Sequence, residues 1–260
     1  MADNGNVALV TGGTEPVGES IARELLRRQW TVVLQGAEEG ELDEARTRLA
    51  EAAEDGRRVA VFPADTSRQA EREQLVEFLL DEFGRIDLLV ASADGPGVNE
   101  NLLEMAEGDY ERVMSACVTS TVFLSQLVAN EMARLAESGE VEAARIVLIN
   151  SICAYTSATE RSARCIAAAA TSMLRQLLAD ELAVHGISVY EIRTGLISTG
   201  GGDPVHARYD QLIEEGLTPI RRWGRPQDVA LAVAAIAEDL LPYSTGEVIN
   251  VDGGFHLRRL

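Results

Sequence analysis

Short apolar runs alternate with longer amphipathic stretches from one end of the chain to the other. The runs at 7–11, 31–35, 59–62, 86–91, 145–150, 187–192 and 247–251 are rich in β-branched residues and nearly free of polar ones. That is the pattern of parallel strands covered on both faces. Between them, segments near 17–29, 40–54, 68–83, 108–137, 162–184 and 226–238 repeat apolar residues at three- and four-residue steps, as in Leu75, Phe78, Leu79 and Phe83. Strand and helix alternating in this way, with right-handed crossovers, predict an α/β fold: a doubly wound, Rossmann-like parallel sheet of about seven strands with helices on both faces. No repeat, low-complexity tract or linker divides the sequence, so residues 1–260 are expected to form a single domain. The glycine-rich stretch 199–204 is the expected hinge of a flexible lid over 195–216.

Composition narrows the chemistry. All 23 basic side chains are arginine, and the chain has no lysine. This excludes Schiff-base enzymes, pyridoxal-phosphate enzymes and Walker-type phosphate loops. With 42 acidic residues the net charge is −19, a surface that repels phosphate backbones and anionic lipid, so neither nucleic acid nor membrane is an expected partner. No apolar run reaches the roughly 18 residues of a membrane span. The start of the chain lacks the charged and apolar regions of a signal peptide. Cys117, Cys153 and Cys165 show no metal-ligand spacing and read as reduced thiols, which points to the cytoplasm. His185, His206 and His256 are scattered and match no metal site.

The first strand runs into Thr11-Gly-Gly-Thr-Glu-Pro-Val-Gly18 and then directly into a helix. A glycine turn opening a helix at a strand's carboxyl end favours a dinucleotide pyrophosphate, because bare backbone permits close approach and the helix N-terminus attracts anions. Glycine also serves strand-to-helix turns for geometry alone. The turn resembles the TGxxxGxG motif of the short-chain dehydrogenases/reductases. Further matches follow in order: Asp65 after the third strand, "INS" ending at Ser151, "LLADELAVHGISV", "TGLIST", "PIRRWGRPQDVA" and "STGEVINVDGG". The resemblance spans nearly the whole chain. It implies an NAD- or NADP-dependent oxidoreductase in which Thr11, Gly12, Gly18 and Asp65 contact the cofactor and Ser151 orients a carbonyl.

The departures set the functional expectation. Counting thirteen residues on from Ser151 reaches Arg164, where the family carries its proton-donating tyrosine, and four more reaches Ala168, where it carries lysine. Arginine is effectively never deprotonated and is a poor proton donor. The family's relay asparagine aligns with Cys117. Pro16 removes an N–H beside the expected pyrophosphate, and Glu15 adds a carboxylate there. Gly36-Ala37 stand where the family reads the ribose, Ala91-Ser92-Ala93-Asp94 replace its NNAG segment, and Thr194 replaces a loop proline. Ser151 and Tyr155 are the residual catalytic candidates, against turn-capping and packing roles. Arg161 and Arg164 are candidates to clamp a carboxylate or phosphate, against a solvated helix face. The expectation is that NAD(P) binding is weak or lost, and that the chain is a non-catalytic structural or regulatory subunit of a homo- or hetero-tetramer with an active paralogue. The alternative is an unconventional NAD(P)-dependent carbonyl/alcohol oxidoreductase, or a cofactor-free enzyme, acting on a small molecule with Ser151 and Tyr155 in the same cleft.

Overall fold

The computed structural model describes residues 5–51, 59–92, 95, 101–200 and 204–258. Seven strands, β1 (Val7–Thr11), β2 (Thr31–Gly36), β3 (Val59–Pro63), β4 (Leu88–Ser92), β5 (Arg145–Ser151), β6 (Ser188–Thr194) and β7 (Glu247–Val251), form one sheet in the order β3-β2-β1-β4-β5-β6-β7. Every pairing is parallel, so each connection crosses a face and the chain is doubly wound, as expected from the apolar runs. The helices are α1 (Pro16–Arg27), α2 (Glu39–Ala50), α3 (Gln69–Phe83), α4 (Glu107–Met114), α5 (Ser120–Glu137), α6 (Ser162–Leu182), α7 (Pro204–Glu214) and α8 (Pro226–Ala237).

Side chains alternate across the sheet. Ala8 and Val10 of β1 pack with α1 and α8 residues such as Ile21, Leu25 and Val233. Val7 and Leu9 pack on the other face with Leu75 of α3, Val128 and Met132 of α5 and Leu178 of α6. Burying each such side chain stabilises the fold by about 1.5–3 kcal/mol. By length and hydropathy the continuous helical stretch Glu107–Glu137 does suffice for a membrane span, contrary to the sequence expectation. Its apolar residues Leu124, Val128, Met132 and Leu135 instead lie buried against the sheet.

Local chemistry sets the element ends. Pro16 begins α1 at the first helical position, where its missing N–H would have lacked an intrahelical partner anyway. Gly84 ends α3 in the left-handed conformation (φ 70°). The Asp228 carboxylate accepts from the backbone N–H of Arg225 at the start of α8 (2.7 Å). Between α4 and α5 a π-helical turn, Ser115–Thr119, inserts one residue too many for α-geometry and centres on buried Cys117.

The sequence expectation placed a flexible lid at 195–216, and this region contains α7. His206 stacks on Trp223 (ring centroids 4.1 Å apart), and the Trp223 indole N–H donates to Asp210 (2.6 Å). A β-bridge pairs Ile197 with Gly224. Residues 201–203 of the expected hinge lie outside the described residues.

Candidate active site

The carboxyl ends of the strands converge where β1 passes to β4, the switch point at which doubly wound sheets bind ligands. The glycine turn there is built by close packing. A Cβ on Gly18 would lie 2.2 Å from the Gly12 carbonyl oxygen, and Gly12 itself has φ 61°. The Thr11 hydroxyl accepts from the Ser92 backbone N–H (2.9 Å), tying β1 to β4, and the buried Gln35 amide donates to the Ala64 carbonyl (2.7 Å), tying β2 to β3. A cavity of about 540 Å³ opens above this edge, with Gly12, Glu15, Gly36, Glu38, Asp65 and Ser92 on its wall. The sequence reading expected Pro16 to crowd this space. Pro16 is exposed at the first position of α1 and is not among the residues on the cavity's wall.

The chemistry of this wall fits a dinucleotide: its glycines permit backbone approach, and the N-terminus of α1 adjoins it. Asp65 lines it and also closes its own turn. Its Oδ1 accepts from the Ser67 hydroxyl (2.6 Å) and the Ser67 N–H (3.0 Å). The Ser67 hydroxyl, then the Ser67 N–H and Arg68, hold the carboxyl below the usual range against an opposing effect of partial burial. Ala93 and Asp94 lie outside the described residues.

A second cavity, about 200 Å³, has Ser151, Arg161, Arg164, Ala168 and Cys117 on its wall. Ser151 ends β5, and its hydroxyl accepts from the Cys153 N–H (3.2 Å), capping the single 3-10 turn Ile152–Ala154. A hydroxyl used as acceptor keeps its own hydrogen for donation. Arg164, in the first turn of α6, approaches the Gly95 carbonyl (3.4 Å) and the Cys117 sulfur (3.9 Å). Gly95 also lines the larger cavity, so this contact stands between the two spaces. A Cβ on Gly95 would meet the Cys117 sulfur at 2.4 Å, which shows how tightly the π-turn packs there. Ala168 is buried, and its carbonyl accepts from the Asn150 amide (2.9 Å).

The structure brings Ser151, Arg164 and Ala168 together and sets Tyr155 apart. Tyr155 is half-exposed, lines neither cavity, and packs its ring under Arg193 (5.1 Å to the centroid). Partial burial and the nearby Asp252 charge push its phenol pKa up, with Arg193 opposing. A phenol shifted upward is a weaker acid.

Beneath Ser151 lies a polar network not foreseen from the sequence. Glu191, 0% exposed, accepts from Asn150 (2.9 Å), Ser172 (2.6 Å), Arg175 (3.1 Å) and Arg193 (2.7 Å). Asn150 in turn accepts from the Ser151 backbone N–H (2.8 Å). The pair Glu191 and Arg193, charged residues inside an otherwise apolar strand, was its visible signal. Glu38 and Glu41 on the larger cavity were missed as well.

A glycine turn feeding a helix at the switch point of a seven-stranded parallel sheet defines a Rossmann-like α/β architecture. A family model described as enoyl-(acyl carrier protein) reductase matches residues 13–256. The chain is 30% identical over 256 residues to 2-dehydro-3-deoxy-D-gluconate 5-dehydrogenase of Dickeya dadantii, covering 98% of this chain and 96% of that one. It is 30% identical over 259 residues to a rhamnolipid-biosynthesis 3-oxoacyl-[acyl-carrier-protein] reductase of Pseudomonas aeruginosa, covering 97% of each. A crystal structure of 3-oxoacyl-[acyl-carrier protein] reductase from Brucella melitensis in complex with NAD superposes with a TM-score of 0.87 at 34% identity, covering 98% of both chains. The chain belongs to the short-chain dehydrogenase/reductase family.

These comparisons overturn the expectation of a non-catalytic structural or regulatory subunit. The relatives are named as reductases and dehydrogenases, and they match along almost their full length. That expectation rested on adding up substitutions one position at a time. In three dimensions the glycine turn keeps its close packing, with a cavity of about 540 Å³ beside it, and Pro16 stands at the first position of α1.

Proposed function

We propose that the chain is an oxidoreductase interconverting a carbonyl and an alcohol, with a nicotinamide dinucleotide in the larger cavity and Ser151 facing the reacting oxygen. The observation that carries this reading is the Ser151 hydroxyl, fixed as an acceptor by the Cys153 N–H and so left to donate into the cavity it lines. Thr11 and Gly12 would form the floor for the cofactor, with Gly18 packed against Gly12, and Asp65 would line its far wall. When bound, the nicotinamide supplies the two-electron reduction or oxidation of the substrate carbon.

Glu38 and Glu41 line the same cavity, and among the described residues lining it there is no arginine. Two carboxylates repel an additional phosphate, which favours NAD(H) over NADP(H).

Arg164 stands at the position of the family's tyrosine and Ala168 at that of its lysine. A guanidinium stays charged, so Arg164 acts on the developing oxyanion by its field and by hydrogen bonding, not by giving up a proton. The proton then reaches the oxygen from water, since Tyr155 lines neither cavity.

The test is NADH binding by calorimetry together with NADH-dependent turnover on a ketone panel. Ser151→Ala should lower kcat about 10²-fold or more while leaving NADH affinity unchanged. Tyr155→Phe should retain turnover. Flat titrations with both NADH and NADPH sink the proposal.

A further inference from the structure

We infer that Cys153 and Cys165 are a redox pair: a hydroperoxide joins them in a disulfide that withdraws the backbone N–H holding Ser151. The pairing stands on the two thiols alone, and its effect on turnover rests on the oxidoreductase reading above. All three cysteines of the chain are free thiols, but they differ in access. Cys117 is buried in the π-turn, whereas Cys153 and Cys165 are both partly exposed.

The fold brings this pair together. Cys153 is the middle residue of the 3-10 turn Ile152–Ala154, which packs directly on α6. Cys165 lies in the first turn of α6, where its N–H donates to the Arg161 carbonyl (3.0 Å). The Cys153 side chain is within hydrogen-bonding reach of the Cys165 thiol. The turn is pinned on both sides of Cys153. The Cys153 N–H donates to Ser151 Oγ (3.2 Å), and the Tyr155 and Thr156 N–H groups donate to the Ile152 carbonyl (3.3 and 3.2 Å). Cys165 also lines a cavity of about 520 Å³ beside the exposed Leu102 and Leu103, so a small oxidant reaches the pair from solvent.

Burial pushes the Cys165 thiol up, and the adjacent Cys153 adds to the shift. Such a thiol is slow to ionise, which leaves Cys153 to attack first. The Cys153 thiolate displaces hydroxide from hydrogen peroxide to give a sulfenic acid. The Cys165 sulfur then attacks the Cys153 sulfur, and water leaves as the S–S bond forms. In total two thiols lose two electrons and two protons, and one peroxide becomes two waters. A dithiol reductant reverses the step by exchange. Bonded sulfurs stand closer than two thiols in contact, so the disulfide draws Cys153 towards α6. Ser151 then loses the N–H that fixes its hydroxyl.

The experiment follows thiols and turnover in the full chain. The protein is treated briefly with hydrogen peroxide, capped with N-ethylmaleimide and digested with trypsin, which cleaves after Arg145, Arg161, Arg164 and Arg175. Residues 146–161 and 165–175 should emerge as one cross-linked peptide, lighter than its two parts by two hydrogens, which dithiothreitol separates. Cys165→Ser should abolish that peptide. NADH-dependent turnover of the peroxide-treated wild type should fall about 10-fold or more and return with dithiothreitol, while Cys165→Ser keeps its turnover under peroxide. Separately oxidised cysteines with no linked peptide overturn the inference. So does the same link formed between two chains, seen as a covalent dimer on a non-reducing gel. A linked peptide with unchanged turnover overturns the hold on Ser151. A linked peptide in a protein that binds neither NADH nor NADPH upholds the thiol pair and sinks the oxidoreductase reading.

Discussion

Replacing Glu191 by glutamine is the severest test of the buried network. The substitution preserves shape and removes one charge. Every neighbour that Glu191 meets is a donor: the Asn150 amide, the Ser172 hydroxyl, Arg175 Nε and Arg193 Nε. A glutamine NH₂ must therefore face at least one of them without an acceptor between. Arg175 and Arg193 side chains are only 11% and 18% exposed, so water does not readily replace the lost carboxylate. Breaking a buried ion pair by removing one partner costs about 3–5 kcal/mol, and this carboxylate serves two arginines. The expected loss is in that range, read as a shift in the urea midpoint by circular dichroism with the slope unchanged. Glu131→Gln, which breaks the exposed Arg134 pair, is the control and should cost less than about 1 kcal/mol. A Glu191→Gln protein as stable as the control would refute the network's role. It would mean that Arg175 and Arg193 find other partners.

Gly18→Ala should shift the glycine turn, because its Cβ would lie 2.2 Å from a backbone oxygen that has no side-chain freedom to yield. A loss of about 1–3 kcal/mol in thermal unfolding and weakened NADH binding are expected; unchanged values for both would contradict the packing described. Asp228 is held below its ordinary value of 3.8 chiefly by hydrogen bonds from Arg222, at 2.7 and 3.0 Å. A lowered carboxylate stabilises the fold above its unfolded pKa, and that contribution is lost as pH falls through the folded value. Asp228→Asn should therefore cost about 1 kcal/mol at pH 7 and flatten the decline in stability below about pH 4, as followed by thermal melts across pH. A mutant and wild type separated by the same gap at pH 3 and pH 7 would refute it.

The fold was legible because a buried parallel sheet writes itself as apolar runs. β1 and β7 fall where their sequence places them, and β4 and β6 begin one or two residues later than their apolar runs. The helix α7 was not legible, since glycine, aspartate and proline at its start read as a loop and its anchor, Trp223, comes from beyond the helix. The π-turn at Cys117 leaves no mark in a pattern of three- and four-residue steps. Ser151 and Arg164 were singled out by the family resemblance, which supplied both the serine segment and the thirteen-residue count from it. The Glu191 network was not, because three of its four partners are 16 to 41 residues away in sequence and meet it only when β5, β6 and α6 are packed. Pro16 suits the first position of α1, where the missing N–H costs the helix no hydrogen bond.

The stack of His206 on Trp223 has an optical consequence. The chain has two tryptophans, and the other, Trp30, is buried at the amino end of β2. Indole emission from Trp30 is thus insulated from events at the carboxyl ends of the strands, while Trp223 is in ring contact with an imidazole borne on α7. Movement of that helix changes the distance between the two rings and hence the quenching. The protein carries its own fluorescent reporter at the rim of the cleft, with an internal reference at the far side, and needs no attached dye.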